Sequence, residues 1–473
     1  MNDREITAIT QKVIERLGHE TPTALQPDSS DGIFTRMEDA IEAAASAQKV
    51  WVQLTLERRG EIIKAMRKKI IDSARELADL AVQETGMGDV EQKVLKNILV
   101  AKKTPGIEDI PHIVYSGDHG VTIEEFTPFG IVGSITPSTN PSETVSNNAI
   151  CALSAGNSIV YNCHPSAKRV SARTISLLNR AITDNGGPQN MLTTVAYPTL
   201  ETGSIIFNHK KVKLLVVTGG GEVVKAALTV GKRCLAAGPG NPPVIVDETA
   251  NLANAGRGIV RGASLDNNIV CIAEKEIFAV DSIADKLISE MKKNGTYELR
   301  QFELDRLLKT CLENYDGPHG PRTKPKRDSV GRSAKSLAAR IGITVPESTK
   351  LLVCDVGRNK DHPLVQTEQL MPIIPLVRCS DFNEAMSWAL EAEHGYSHTA
   401  MIHSTNLEHV TIFGRAANCS IFVVNGSCFN GLGLEGEGPT AWSITTPTGE
   451  GCTSPRNFAR KRRLVMVGAL RIY

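Results

Sequence analysis

Aromatic residues are scarce in this 473-residue chain, at 4%, and net charge is nearly absent, with 53 Lys and Arg against 52 Asp and Glu. That balance removes the electrostatic basis for a nucleic-acid or membrane-surface partner. The ten cysteines contain no C-x-x-C pair, which excludes zinc-ribbon and thioredoxin-like chemistry. Ten in so long a chain do not make a disulfide framework either. No apolar run approaches the roughly 18 residues of a membrane span, and no secretory signal is present, so a soluble, cytosolic protein is expected. No repeat of about 20–50 residues recurs. What is plentiful is Ala, Val, Ile and Gly, which suits an α/β protein with buried parallel sheet. The length calls for two or three domains.

Residues 2–17 read as an amphipathic helix, with Ile6, Ile9, Val13, Ile14 and Leu17 on one face and Arg4, Glu5, Lys12, Glu15 and Arg16 on the other. Asn2 with Glu5 resembles a capping box, and Gly18 suits the stop. A polar, Pro-punctuated linker follows over 19–32. So short a helix, detached from its domain, needs a surface to bury its stripe; the linker favours an external partner over the alternative of packing back on its own domain. Its acidic residues exclude a mitochondrial transit peptide. Helical patterns then cover 37–45 and 56–82. Strand signals at 121–123, 130–135, 158–161, 191–195 and 213–217 alternate with helices at 144–155 and 167–184, the mark of a doubly wound parallel sheet. A second α/β region opens at Pro243, with strands at 243–247, 350–353 and 373–377, helices at 284–293 and 297–314, and a Gly/Pro/Lys-rich loop at 316–329. The tail, 464–472, is an apolar strand pattern whose edge needs a partner.

Cys271 stands between Asn267-Asn268 and the apolar run Ile277–Val280. N–H donors of an amide-rich turn can stabilise a thiolate there, making it a nucleophile; the alternative is a buried small hydrophobe. A strand at 214–217 runs into Thr218-Gly219-Gly220-Gly221 and then a helix, a geometry that lets backbone approach a phosphate. It is neither G-x-G-x-x-G, since position 224 is valine, nor a P-loop. The literal G-x-G-x-x-G at 431–436 leads into Gly438-Pro439 rather than a helix and reads as a flexible loop. His394, His398 and His403 lack the helical spacing of a metal pair, so a structural or surface role is expected and no metal. Arg460–Arg463 reads as a solvated or inter-subunit face. In Pro137–Pro141, Asn140 sits in a turn with its amide placed to enter a cleft, where an N–H₂ suits an oxyanion; an Asx-turn residue is the alternative.

Together these pieces resemble the aldehyde dehydrogenase superfamily, in particular its CoA-acylating branch from bacterial microcompartments that serve propanediol and ethanolamine utilisation. The match runs from Gly32 to Tyr473 and rests on Glu84–Gly88, Ile135–Pro141, Ala155–Ser158, Asn267–Cys271, Glu368–Pro372 and Thr445–Gly451. The resemblance implies an α/β fold with a Rossmann-like cofactor domain (33–119 and 135–242), an α/β catalytic domain (243–440) and a small β oligomerisation element (120–134 and 441–473). It implies Cys271 as nucleophile and Asn140, with the Cys271 backbone N–H, as oxyanion donor. Thr136 and Pro137 would line the cofactor cleft, His164-Pro165 would meet the adenosine ribose, Thr218, Gly219 and Gly220 the pyrophosphate, and Glu368 the nicotinamide ribose.

One departure is informative. Hydrolytic members carry Glu-Leu-Gly-Gly, whose glutamate is the base for deacylation by water. Here the stretch is Ala236–Pro242, with Ala236 assigned to the place of the base. Without a base water attacks a thioester slowly, whereas a thiol is already a good nucleophile. The resemblance therefore implies NAD-dependent oxidation of a short-chain aldehyde, propanal ahead of ethanal, to an acyl-CoA, with coenzyme A as co-substrate. It implies a homodimer or homotetramer inside a microcompartment of the bacterial cytoplasm, with residues 1–18 as the segment that binds shell or core proteins. A hydrolytic aldehyde dehydrogenase and a non-catalytic core scaffold are the rival readings.

Overall fold

The computed structural model describes residues 27–470; the amphipathic segment 1–18 lies outside the described residues. Residues 28–32, at the end of the expected linker, are tied down. Asp31 pairs with Arg180 and accepts from the Ser176 hydroxyl at 2.6 Å, and the Asp28 carbonyl accepts from Ile33 at 2.9 Å.

The described residues form three larger sheets and a two-stranded one, Ile444–Thr445 with Gly451–Cys452. The first has six strands in the order Ile33–Phe34, Leu192–Val195, Ser158–Asn162, Ile131–Ile135, Val212–Thr218, Arg233–Ala237, all parallel. Its β-branched strands are buried on both faces, as a sheet covered by helices on each side requires. The strand order turns back on itself between Ile131–Ile135 and Val212–Thr218, so the loops leaving these two neighbours diverge and open a crevice at their C-terminal ends. The second sheet has seven parallel strands, in the order Thr296–Glu298, Leu351–Asp355, Ile373–Cys379, Glu276–Val280, Pro243–Val246, Thr399–His403, Ile421–Val424. The third is antiparallel, with Gly120–Pro128 between Ala459–Val467 and Ile113–Gly117. Ile113–Gly117 joins it from outside the span expected for this element, while Ile131–Ile135 lies in the first sheet.

Local chemistry sets the helix bounds. The helical pattern at 56–82 is two helices, Leu56–Asp72 and Ala74–Thr85, because Ser73 leaves helical geometry at φ −102°, ψ 4°. Helix Val90–Lys103, which the sequence reading left unassigned, starts at Asp89, whose carboxylate accepts from the Gln92 N–H at 3.0 Å. Helix Pro141–Ser154 is buried along its whole length. Two of its asparagines tie it to its surroundings: Asn147 bonds Thr104 Oγ1 at 3.0 Å and the Trp442 N–H at 3.2 Å, and Asn148 accepts from the Ser443 hydroxyl at 3.1 Å. A helix so enclosed is a rigid mount for whatever sits at its start.

The segment 238–242 joins the last strand of the first sheet to Pro243–Val246 of the second. A connection this short places the C-terminal edge of the first sheet against the N-terminal edge of the second.

Candidate active site

Where these two edges meet they enclose a cleft of about 280 Å³. The first sheet contributes Pro137 to Asn140, His164 and Thr218 to Gly220, and the second contributes Ile269 to Ile272, Glu368 and Leu370. The connection supplies Ala237 to Pro239, and Leu432, Ala441, Trp442 and Ile444 close the far wall. Of the site residues expected from sequence, Pro137, Asn140, His164, Thr218, Gly219, Gly220, Cys271 and Glu368 are brought together on this surface. Thr136 is buried beneath it and Pro165 begins a 3-10 turn behind His164.

The loop carrying Cys271 is built from a run of left-handed residues, Asp266, Asn267 and Asn268, at φ 46°, 55° and 65°. Asp and Asn tolerate that region where other residues are strained. Both asparagine amides are spent on backbone carbonyls, those of Asn268 beside the loop and those of Asn267 on neighbouring segments. Asn267 Nδ2 donates to the Gly88 and Gly331 carbonyls at 3.0 and 2.9 Å, and Asn268 Nδ2 to Ala263 and Glu274 at 2.7 and 3.0 Å. Both side-chain amides are thus taken, so the expectation that they stabilise a thiolate does not hold; the donor that favours the thiolate is the Cys271 backbone N–H. Burial, and then the Glu368 carboxylate, push the Cys271 thiol up to about 12, against the opposing pull of Lys275. Lys275 holds the same loop, its Nζ donating to the Asn268 carbonyl at 2.9 Å.

Asn140 is the N-cap of helix Pro141–Ser154, yet its side chain makes no capping bond. Its Oδ1 instead accepts from Lys96 Nζ at 2.6 Å. Lys96 also contacts Asp266 at 2.5 Å and Glu143 at 3.1 Å, while Lys93 reaches Asp266 at 2.8 Å. All four charged side chains are buried at 1% exposure or less. The sequence reading missed this cluster. Its one signal was two lysines three apart behind an Asp N-cap, a spacing that normally marks a solvated face.

Glu368 is the one carboxylate among the described residues lining the cleft. Its Oε1 accepts from the Gly240 N–H at 3.3 Å, and burial raises its pKa against the pull of Lys275. Gly240 itself is forced by close approach: a Cβ there would lie 2.8 Å from the Cys271 carbonyl oxygen. Gly88 is equally constrained, at φ +86° with its missing Cβ 2.2 Å from Asp266 Oδ1. Ala236 does not reach the cleft. Strand alternation turns it into the core behind the first sheet, and Ala237 takes the cleft wall. The place from which a base would act is therefore Ala237, and it still carries no carboxylate.

Other motifs settle elsewhere. His398 and His403 are buried, with burial lowering each to about 4, and no group of three His, Cys, Asp or Glu among the described residues could hold a metal. The 431–436 loop is pinned by Asn430, whose Nδ2 donates to Leu434 and Glu435 carbonyls at 3.2 and 2.9 Å, and it delivers Leu432 to the cleft. In the basic run, Arg462 pairs across the third sheet with Glu125 at 2.8 Å and Arg463 with Glu124 at 2.7 Å.

The model of the aldehyde dehydrogenase family matches residues 28–301. The acetylating acetaldehyde dehydrogenase EutE of Salmonella typhimurium is 46% identical over 473 residues, 100% of both chains. A solved propionaldehyde dehydrogenase of Rhodopseudomonas palustris, with bound CoA and an acylated cysteine, is 44% identical with a TM-score of 0.89, covering 93% of this chain and 98% of that one. A propionaldehyde dehydrogenase from the fucose-utilisation microcompartment of Clostridium phytofermentans is 42% identical with a TM-score of 0.89, covering 93% and 100%.

Proposed function

The chain belongs to the aldehyde dehydrogenase family, and from that premise we propose that it oxidises a short-chain aldehyde to an acyl-CoA through a thioester on Cys271. The observation that carries this reading is one cleft holding Cys271, Asn140 and Glu368 with alanine where a water-activating carboxylate would stand.

The residues present fit a nicotinamide dinucleotide. Gly220 caps helix Gly221–Leu228 without a side-chain bond, and a Cβ on Gly220 would meet nothing within 4 Å. That leaves backbone N–H groups and open space for a pyrophosphate, supplied by Thr218, Gly219 and Gly220. Glu368 would accept from ribose hydroxyls, His164 and Pro165 would meet the adenosine end, and Thr136 and Pro137 would form the floor. When bound, NAD supplies the acceptor for the hydride that leaves the substrate carbon.

The chain's own groups do the rest. The Cys271 sulfur gives up its proton to solvent water in the cleft and bonds to the aldehyde carbon, and the carbonyl π pair moves to oxygen. Asn140 Nδ2–H and the Cys271 N–H hold that oxyanion, an arrangement worth about 10²–10³ in rate for one such donor. After oxidation Cys271 carries the acyl group as a thioester. With Ala237 on the wall no side chain activates water there, so the acyl group stays until the thiol of coenzyme A takes it and the Cys271 thiolate leaves. The pH dependence of the thiol makes proton removal from Cys271 part of the barrier to the first step.

Propanal is the substrate expected from the sequence. Ethanal is the second reading, supported by the 46% identity to EutE against 44% to the Rhodopseudomonas palustris propionaldehyde dehydrogenase. The functional units are the first sheet and its helices, with Ile131–Ile135, for NAD and CoA, 243–440 for catalysis, and the third sheet, 113–128 with 459–467, for assembly into a homodimer or homotetramer. Exposed apolar residues on the third sheet, Val114 at 59% and Val465 at 55%, support that last assignment. Residues 1–18 bind shell or core proteins of a microcompartment in the bacterial cytoplasm. Aldehyde-dependent NADH formation should vanish in Cys271→Ala, and kcat/KM for ethanal, propanal and butanal with CoA ranks the substrates. An active Cys271→Ala enzyme overturns the mechanism.

A further inference from the structure

We propose that Lys96 is the positioning residue of the oxyanion site: its buried ammonium grips the Asn140 carboxamide oxygen and so fixes the Nδ2–H₂ group toward the cleft. This rests on the thioester reading above and adds a residue to which no motif assigned a role.

An ammonium only donates, so the Asn140 atom 2.6 Å from Lys96 Nζ is the carbonyl oxygen, and the amide nitrogen is the end left over. That nitrogen makes one long contact, 3.3 Å to Thr139 Oγ1, and is otherwise available to a ligand. Lys96 cannot swing away. Asp266 at 2.5 Å and Glu143 at 3.1 Å hold its Nζ, and the Trp442 ring lies on another side at 5.4 Å. Burial opposes the ammonium, yet Asp266 and Glu143 outweigh it and hold its pKa above the ordinary lysine value. The cation also polarises the amide, which strengthens the N–H₂ as a donor.

The same cluster sets the distance between donor and nucleophile. Asp266 begins the left-handed turn that ends at Cys271, and it is clamped to helix Val90–Lys103 by Lys93 at 2.8 Å, by its own N–H to Gln92 Oε1 at 2.6 Å, and by the Asp89 N–H at 2.7 Å. Asn140 and the Cys271 loop thus share one anchor. Charge balance alone does not explain Lys96. Lys93 already neutralises Asp266, and the Lys96–Glu143 pair could be replaced by apolar groups at little cost in stability.

The test compares Lys96→Met, the charge-balanced Lys96→Met/Glu143→Gln, Asn140→Ala and the Lys96→Met/Asn140→Ala double variant. Each is assayed for kcat and KM with aldehyde, NAD and CoA, and for the rate at which iodoacetamide labels Cys271. In Lys96→Met, kcat should fall about 10²-fold, with aldehyde KM and labelling rate within about threefold of the parent. On the Asn140→Ala background the further loss should be less than about threefold, because the two act as one unit. Should Lys96→Met fail to fold, the charge-balanced pair, which leaves no lone buried charge, carries the same expectation. A folded charge-balanced variant with kcat within threefold of the parent, beside a slow Asn140→Ala, overturns the proposal, as does a fully additive loss in the double variant. An Asn140→Ala enzyme as fast as the parent overturns the oxyanion reading itself, and this inference with it.

Discussion

The first sheet meets the cleft with the C-terminal ends of its strands and, beside the Asn140 and His164 side chains, offers backbone: Thr218 to Gly220 at a helix start, in open space. The second meets it with the N-terminal ends of its strands and offers side chains, Cys271 and Glu368, on loops held by buried amides and ammonium groups. The first arrangement is made to receive a ligand that arrives with its own charge. The second is made to hold reacting atoms to a fraction of an ångström, which the chemistry demands. The difference shows in the glycines. A Cβ on Gly219 would meet only Val223 Cβ at 4.0 Å, whereas one on Gly240 would press on the Cys271 carbonyl oxygen at 2.8 Å.

Substitution at these two glycines is the strongest way to break that contrast. Gly240→Ala should lower kcat about 10²-fold, since it displaces the nucleophile loop, and destabilise the fold by about 1–3 kcal/mol. Gly219→Ala should leave the thermal midpoint unchanged or slightly raised while increasing KM for NAD about tenfold. Equal effects of the two on kcat and stability would erase the distinction between the sheets. A smaller effect sharpens the electrostatics of the second side. Labelling of Cys271 by iodoacetamide should rise about tenfold per pH unit toward about 12, because only the thiolate reacts. Glu368→Gln removes one of the negative charges that hold the proton on sulfur, so at fixed pH labelling should be about threefold faster. Slower labelling would mean the carboxylate aids deprotonation instead. Smallest of all, Arg462→Ala on the exposed face of the third sheet should cost less than about 1 kcal/mol and leave kcat alone.

The same contrast explains what the sequence disclosed. Continuous apolar runs made four strands of the first sheet legible and three of the second, and the Thr218–Gly221 turn with them, because a backbone site is written in local sequence; short strands such as Ile33–Phe34 and Thr296–Glu298 hold too few residues to show a pattern. Cys271, Asn140 and Glu368 were legible through their motifs. Their supports were not. Lys96 lies 44 residues from Asn140 and 170 from Asp266, and a lysine on an amphipathic helix reads as solvated until the fold encloses it. Ala236 was taken for the cleft residue because a motif fixes register only to within a residue, and a slip of one in a strand exchanges the faces. The Asn267-Asn268 pair looked like donors to the sulfur, yet Asn267 is turned onto the Gly88 and Gly331 carbonyls and Asn268 onto the carbonyls of Ala263 and Glu274.

The central claim is that an acyl group on Cys271 waits for a thiol rather than water. Rapid mixing of the enzyme with propanal and NAD in the absence of CoA should give a burst of one NADH per Cys271 and then stop, with the acyl group recovered on that cysteine by mass spectrometry. Addition of CoA should restart turnover and yield acyl-CoA. Continued NADH formation without CoA, accumulating free acid over many turnovers, would contradict the account.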